Sequence, residues 1–220
     1  MSDPINPRAA PITAATLIGA FDRISFAIDA EKDWLCRLDG VIGDADHGVT
    51  MSIGFQAVRD ALAKLDAQTA EPTSVFNTAA SSFLNAVGAS SGPLYATAFM
   101  RASAAVKGKP TLDGEAIVDA IAAMARGIQD RGKAERGDKT MIDAWLPAVE
   151  ATRAAQAEGK PLGDCLNFAI LAAQAGAEST KSMVASKGRA SRLGERALGH
   201  MDPGAASAVI VLRAFAEAFR

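Results

Sequence analysis

Apolar residues recur at helical spacing along almost the whole chain, and the runs stop only at five short breaks rich in glycine and charge. Leu17, Phe21, Ile24 and Phe26 form the first run, with Trp34 and Leu35 further on. A stripe at three- and four-residue intervals marks an amphipathic helix. It predicts one long helix, or two abutting ones, over Thr13 to Leu38, ended by Asp39-Gly40. Met51, Ile53, Phe55, Val58 and Leu62 give a second helix over Thr50 to Lys64. Ser74 to Val87 and Leu94 to Val106 follow, the latter with Pro93 suited to a first helical turn. Asp113 can cap a fifth helix with Ile117, Ile121 and Met124 on one face. Met141 to Gln156 and Leu162 to Ser182 come next. Asp202-Pro203, a cap residue followed by proline, opens a last helix that runs to Phe219.

Composition decides between helix and strand. Alanine is abundant, aromatics are 5% and β-branched clusters are few, which favours helix. "SAVIVL" near the end has strand propensity, but its flanks are helical in character and it reads as a buried helix face. The expected fold is all-α, about eight helices in one bundle. The chain has 220 residues and is 49% apolar, which fits a single domain over residues 13–220. Residues 1–12 are expected to be a flexible tail.

The same numbers exclude several function classes. A formal net charge of −2 gives no general attraction to nucleic acid or to an anionic membrane. No run of eighteen apolar residues is present, so no membrane span is expected. "MSDPINPRAAPI" lacks the apolar core of a secretory signal. Cys36 and Cys165 are too far apart for a disulfide framework or a metal spacing; they read as small buried hydrophobes in a reducing cytosol, hence a cytoplasmic protein.

Chemistry concentrates in the breaks. "DGVIGDADHG" (39–48) brings Asp39, Asp44, Asp46 and His47 together with three glycines. Three like charges this close need a cation or intervening water. Hard divalent cations take carboxylate oxygens, and Mg²⁺ in particular combines a few carboxylates with phosphate and water. The spacing is not that of an EF-hand, and the alternative is a solvated turn. His47 opens the next helix, whose free N–H groups suit phosphate; by itself it also reads as a capping or core histidine. "VGASSGP" (87–93) is a possible phosphate cradle or a plain loop, and without the lysine of a P-loop it is no Walker A site. "GDKTMIDAW" reads as a capping turn, with Thr140 or Asp138 as cap and Lys139 solvated. Lys187, Arg189, Arg192 and Arg196 lie between glycines and either supply cations for phosphate or form a solvated face. His200 is either structural or part of a pocket.

Taken together and in order, "GDADHG", "GASSGP"-type, "GDKTMIDAW", "GRASRLGER" and "GHMDPGA" closely resemble the nucleotide-binding (L) subunit of dihydroxyacetone kinases, from about residue 13 to the C-terminus. The resemblance implies an antiparallel barrel of eight amphipathic helices with ADP or ATP at one end. It implies two Mg²⁺ ions on Asp39, Asp44 and Asp46. Nucleotide and phosphate contacts carry over to His47, Gly48, Thr50, Ser90 and Ser91. Gly132, Met141, Arg189, Asp202, Pro203 and Gly204 would lie beside the nucleotide, with Arg192 solvated. Two departures stand out: Thr50 replaces a frequent asparagine, and Ser90 adds a hydroxyl to a loop that commonly reads Gly-Gly-Ala-Ser-Gly-Pro. The implied activity is phosphoryl transfer to a small ketose such as dihydroxyacetone on a separate ketose-binding subunit. ADP is then either a resident cofactor recharged by a phosphotransferase-system donor protein, or ATP is exchanged each cycle. A four-carbon ketose is equally compatible. The alternatives of a different class are an ADP-bound coactivator of a transcription factor, and a helical metal-binding module without catalysis.

Overall fold

The computed structural model describes residues 11–219, and within them it is all-helical, with no strand among the described residues. Nine α-helices follow one another: α1 Ala14–Ala30, α2 Lys32–Ile42, α3 His47–Leu62, α4 Pro72–Ala86, α5 Ser91–Ala105, α6 Gly114–Gly132, α7 Ile142–Ala157, α8 Leu162–Ser179 and α9 Pro203–Ala216. Short 3₁₀ turns cover Thr180–Ser182, Arg189–Ala197 and Glu217–Phe219. The first predicted helix is two abutting ones, broken at Glu31. The expected stop at Asp39-Gly40 is corrected: α2 runs through both to Ile42, and Gly43 follows it with its N–H bonded to the Asp39 carbonyl at 2.5 Å. Asp113 and Asp202 cap as expected, accepting from the N–H of Ala116 at 2.8 Å and of Ala205 at 2.7 Å. "SAVIVL" is helical and largely buried within α9.

Short connections make consecutive helices antiparallel. From α3 to α9 each packs on the next, and α1 packs on both α3 and α9, which closes a ring of eight places with α1 and α2 sharing one. Its interior is filled. Phe21, Phe55, Phe76, Phe83, Tyr95 and Phe99 meet edge to face or tilted, with centroids 5.1 Å apart for Phe55–Phe83 and 5.2 Å for Phe21–Phe99. Such pairs are worth roughly 0.5–1.5 kcal/mol beyond their burial. The expected flexible tail falls mostly on residues 1–10, outside the described residues; Ile12 is buried and exchanges backbone hydrogen bonds with Leu112 at 2.9 and 2.8 Å. No helix among the described residues is long and apolar enough to cross a membrane.

The alternation of direction has a functional consequence. The connections before α3, α5, α7 and α9 all open at one end of the ring, and these carry all five glycine-rich breaks. The N-termini of four helices therefore converge there, each a partial positive charge.

Candidate nucleotide and metal site

The acidic loop is organised by Asp39. Its carboxylate, buried at the end of α2, accepts from the N–H of Asp46 at 3.0 Å and of His47 at 3.3 Å through one oxygen. It thereby caps α3 from eight residues upstream and folds the loop onto itself. The first N–H groups of α3 are thus taken by an internal carboxylate rather than left free for phosphate. One oxygen each of Asp39, Asp44 and Asp46 lies within 4.8 Å of the others. Burial, then the neighbouring Asp44 and Asp39 charges, raise the Asp46 carboxyl above its usual range. Arg189 offsets part of that charge through an ion pair with Asp44. An all-oxygen donor set of this spacing fits a hard divalent cation such as Mg²⁺.

In a cavity shared with these acids, Ser90 is the N-cap of α5 and Ser91 its first residue, and neither hydroxyl has a hydrogen bond in the structure. At the start of α7, the buried Asp143 accepts from the N–H of Gly137 at 2.6 Å and of Thr140 at 2.8 Å. Thr140 takes only the N–H of Ile142, at 3.2 Å, while Asp138 binds the N–H of Glu135 at 2.8 Å; Asp143 is what ties the turn together, not a cap at Asp138. Lys139, read from sequence as solvated, is 1% exposed. Its ammonium donates to the carbonyls of Thr180 and His200, both at 2.5 Å, and so ties the end of α8 and the approach to α9 onto α7. Removal from water lowers its pKa, opposed by Asp202 and Asp143. Asp202 shows the reverse: burial pushes its carboxyl up to about 7, against the Ala205 N–H and Lys139, with Asp143 and Asp39 adding to the rise. Burial likewise lowers the His47 imidazole, and the Asp39 charge opposes it.

These groups surround one cavity of about 670 Å³, within the range of small-molecule sites. It is lined by Asp39, Asp44, Asp46, His47, Thr50, Ser90, Ser91, Gly132, Met141, Arg189, Asp202, Pro203 and Gly204, so the structure brings together every sequence-predicted site residue except one. The exception is Gly48, which lies behind the wall where a Cβ would run into the Lys32 carbonyl and Cys36; its role there is to let α3 approach α2 closely. Arg192, expected in solvent, is exposed yet stands on the rim with Lys187. The His200 side chain is exposed and outside the cavity. Cys36 and Cys165 are free thiols, the first half-buried and the second buried. Sequence reading missed Leu94, Ile128, Ala134 and Ile142, which with Met141 add apolar lining to the cavity. It also missed the buried roles of Lys139 and Asp143; the local signal for Asp143 is its place three residues after Thr140, whose N–H it accepts.

Comparison with known proteins identifies relatives of this chain. Residues 41–217 match the model of the DAK2 domain. The chain is 41% identical over 190 residues to the PEP-dependent dihydroxyacetone kinase 2, ADP-binding subunit DhaL, of Listeria innocua serovar 6a, covering 86% of this chain and 88% of that protein. It is 36% identical over 207 residues to the PEP-dependent dihydroxyacetone kinase, ADP-binding subunit DhaL, of Escherichia coli K12, covering 94% and 98%. Among solved structures, the dihydroxyacetone kinase of C. freundii in complex with AMP-PNP and Mg²⁺ superposes with a TM-score of 0.69 at 28% identity over 99% of this chain; the match takes in 36% of the longer kinase chain. The chain therefore belongs to the DAK2-domain family, and its similarity is to that family's ADP-binding dihydroxyacetone kinase subunits.

Proposed function

We propose that this chain is the nucleotide-binding subunit of a dihydroxyacetone-type kinase, with residues 13–220 as a single domain that presents the terminal phosphoryl group of a Mg²⁺-bound nucleotide to a ketose on a separate subunit. The observation that carries the reading is that the lining of one cavity divides between apolar side chains and a set of three carboxylates, two free hydroxyls and basic side chains. A nucleotide has the same division. Met141, Leu94 and Ile128 suit the flat face of a base, with Gly132, Pro203 and Gly204 leaving it room. Ser90 and Ser91 offer hydroxyls and the N-terminus of α5 to phosphate oxygens. Arg189 adds a forked donor and Thr50 a hydroxyl. Asp39, Asp44 and Asp46 would hold two Mg²⁺ ions; bound there, the metal neutralises charge on the transferring phosphoryl group. The chain's own part is to bind, orient and surround that group, and the ketose would be supplied by the partner.

Two relatives of nearly the same length are named as subunits of PEP-dependent kinases. That supports the subtype in which ADP stays bound and a phosphotransferase-system protein recharges it, and it implies a cytoplasmic setting. The test is reconstitution. This chain, ADP, Mg²⁺ and a ketose-binding subunit should phosphorylate dihydroxyacetone when a phosphotransferase-system donor is added. Turnover with ATP alone, and none with that donor, would move the protein to the ATP-exchanging subtype; turnover with neither would sink the kinase reading.

A further inference from the structure

Polar groups continue behind the cavity wall into the core. His47 Nε2 lies 2.9 Å from Ser207 Oγ on α9. Ser207 is fully buried, and its hydroxyl donates to the Gly204 carbonyl at 3.0 Å. A hydroxyl has one proton and two lone pairs. With that proton committed to Gly204, Ser207 can only accept from the imidazole, so the hydrogen of the ring sits on Nε2. Two further polar groups, Tyr95 Oη and Trp145 Nε1, are buried without a hydrogen-bond partner. The Ser207 hydroxyl thus donates to Gly204 and accepts from His47. The other ring nitrogen, Nδ1, has no hydrogen-bond partner among the described residues, and His47 lines the cavity.

We propose that Ser207, oriented by its bond to the Gly204 carbonyl, is a positioning residue that fixes His47 in its Nε2–H tautomer, so that Nδ1 accepts a hydrogen bond from an O–H of the bound Mg²⁺-nucleotide. The donor is either water on the cation or a nucleotide hydroxyl. A lone pair repels phosphate oxygens, so the ring of His47 is not a phosphate ligand, and that role falls to Ser90, Ser91 and Arg189. The tautomer follows from the protein alone; only the role of Nδ1 rests on the nucleotide reading.

Nitrogen-15 NMR of the full chain tests this directly, because there are two histidines and His200→Gln removes the other. Without ligand, His47 should give the correlation pattern of a neutral ring protonated at Nε2. Ser207→Ala should give the averaged pattern of two exchanging tautomers and weaken Mg²⁺-ADP binding by about two- to tenfold, the worth of one ordinary hydrogen bond. Tyr95→Phe should leave the tautomer in place. A shift of Nδ1 with Mg²⁺ alone identifies water as the donor; a shift only when ADP is added identifies a nucleotide hydroxyl. An Nδ1–H pattern in the wild type overturns the assignment, whatever becomes of the folding of Ser207→Ala. So does an unchanged pattern in a folded Ser207→Ala, or an Nδ1 that does not move in protein that binds Mg²⁺-ADP. If the wild type binds no Mg²⁺-ADP while the tautomer is as stated, it is the nucleotide reading that fails.

Discussion

The two ends of the helical ring solve the same problem differently. Both must turn the chain between antiparallel helices, and both use backbone in the left-handed region to do so. At the closed end that conformation falls to glycine, at Gly108 (φ 74°) and Gly159 (φ 75°). At the cavity end glycines are joined by Ala45 (φ 63°), Lys133 (φ 52°) and Lys139 (φ 60°), the only residues with side chains in that region among the described residues. Each costs about 1–2 kcal/mol. For Lys139 the reason is visible, since its side chain makes two hydrogen bonds that no glycine could replace. Three carboxylates show a parallel contrast, although Asp138 at the cavity end is lowered by its bonds from the Ser186 hydroxyl and the Glu135 N–H. Asp66 at the closed end accepts from the Gln68 N–H and the Thr69 hydroxyl, and these donors lower its pKa. Asp46 and Asp202 at the cavity end are both raised. One end is arranged for stability, and the other stores strain and unmet charge that a ligand can relieve.

The sharpest way to break this contrast is to remove a charge from the cavity end. Asp46→Asn should reduce Mg²⁺-ADP affinity by more than about a hundredfold, beyond the 10- to 100-fold typical of groups that merely support metal ligands. The unliganded protein should melt no lower than wild type, because the lost carboxylate is one that its surroundings disfavour. Titration calorimetry and thermal melting together decide; a large loss of stability would show that the carboxylate is structural.

Next in size is Arg189. If its fork spans phosphate oxygens, Arg189→Lys keeps the charge and still loses a charge-assisted hydrogen bond of roughly 1.5–3 kcal/mol, about ten- to hundredfold in affinity. Arg192→Lys on the same rim should be nearly silent. Equal losses in the two would mean that only positive potential matters at this end.

A pH series sharpens the contrast between carboxylates. The folded-state value of Asp202, about 7, lies above the usual 3.8. Its contribution to stability is therefore complete below about 4 and is lost as pH rises through 7, at no more than about 1.4 kcal/mol per pH unit. His47 acts the other way: its pKa is lowered, so its contribution is present above about 6.5 and lost as pH falls below that. Denaturant unfolding of the ligand-free protein at several pH values, compared with Asp202→Asn, isolates the first effect, because only the wild type should lose stability through Asp202 between pH 4 and 7. Parallel curves would contradict the assignment.

The smallest effect concerns the backbone itself. Gly159→Ala at the closed end should destabilise by about 1–2 kcal/mol, whereas Ala45→Gly should be neutral or stabilise by up to about 1 kcal/mol. Urea melts of the two variants measure this, and a clear loss in Ala45→Gly would show that the alanine methyl has a packing role.

The helices were legible because they depend on local periodicity, and the order of the five breaks pointed to the site because each break holds its own chemistry. Gly40 misled because glycine is a common stop; here the chain continues as helix for one more half-turn and the turn is made at Gly43. Lys139 was hidden for another reason. The partners of Lys139 lie 41 and 61 residues further along the chain, and no local pattern reports contacts that only the closed ring creates. The same holds for Ser207, which is 160 residues from His47.

The claim beneath all of this is that the cavity end binds a nucleotide through a divalent cation. ADP titrated into the wild-type protein by calorimetry, once with millimolar Mg²⁺ and once with EDTA, tests it most directly. The account predicts saturable binding near one ADP per chain with Mg²⁺ and little or none with EDTA, and a stabilisation of about 2.7 kcal/mol when free ADP reaches a hundred times its Kd. No binding in Mg²⁺, or binding that EDTA leaves untouched, would contradict it.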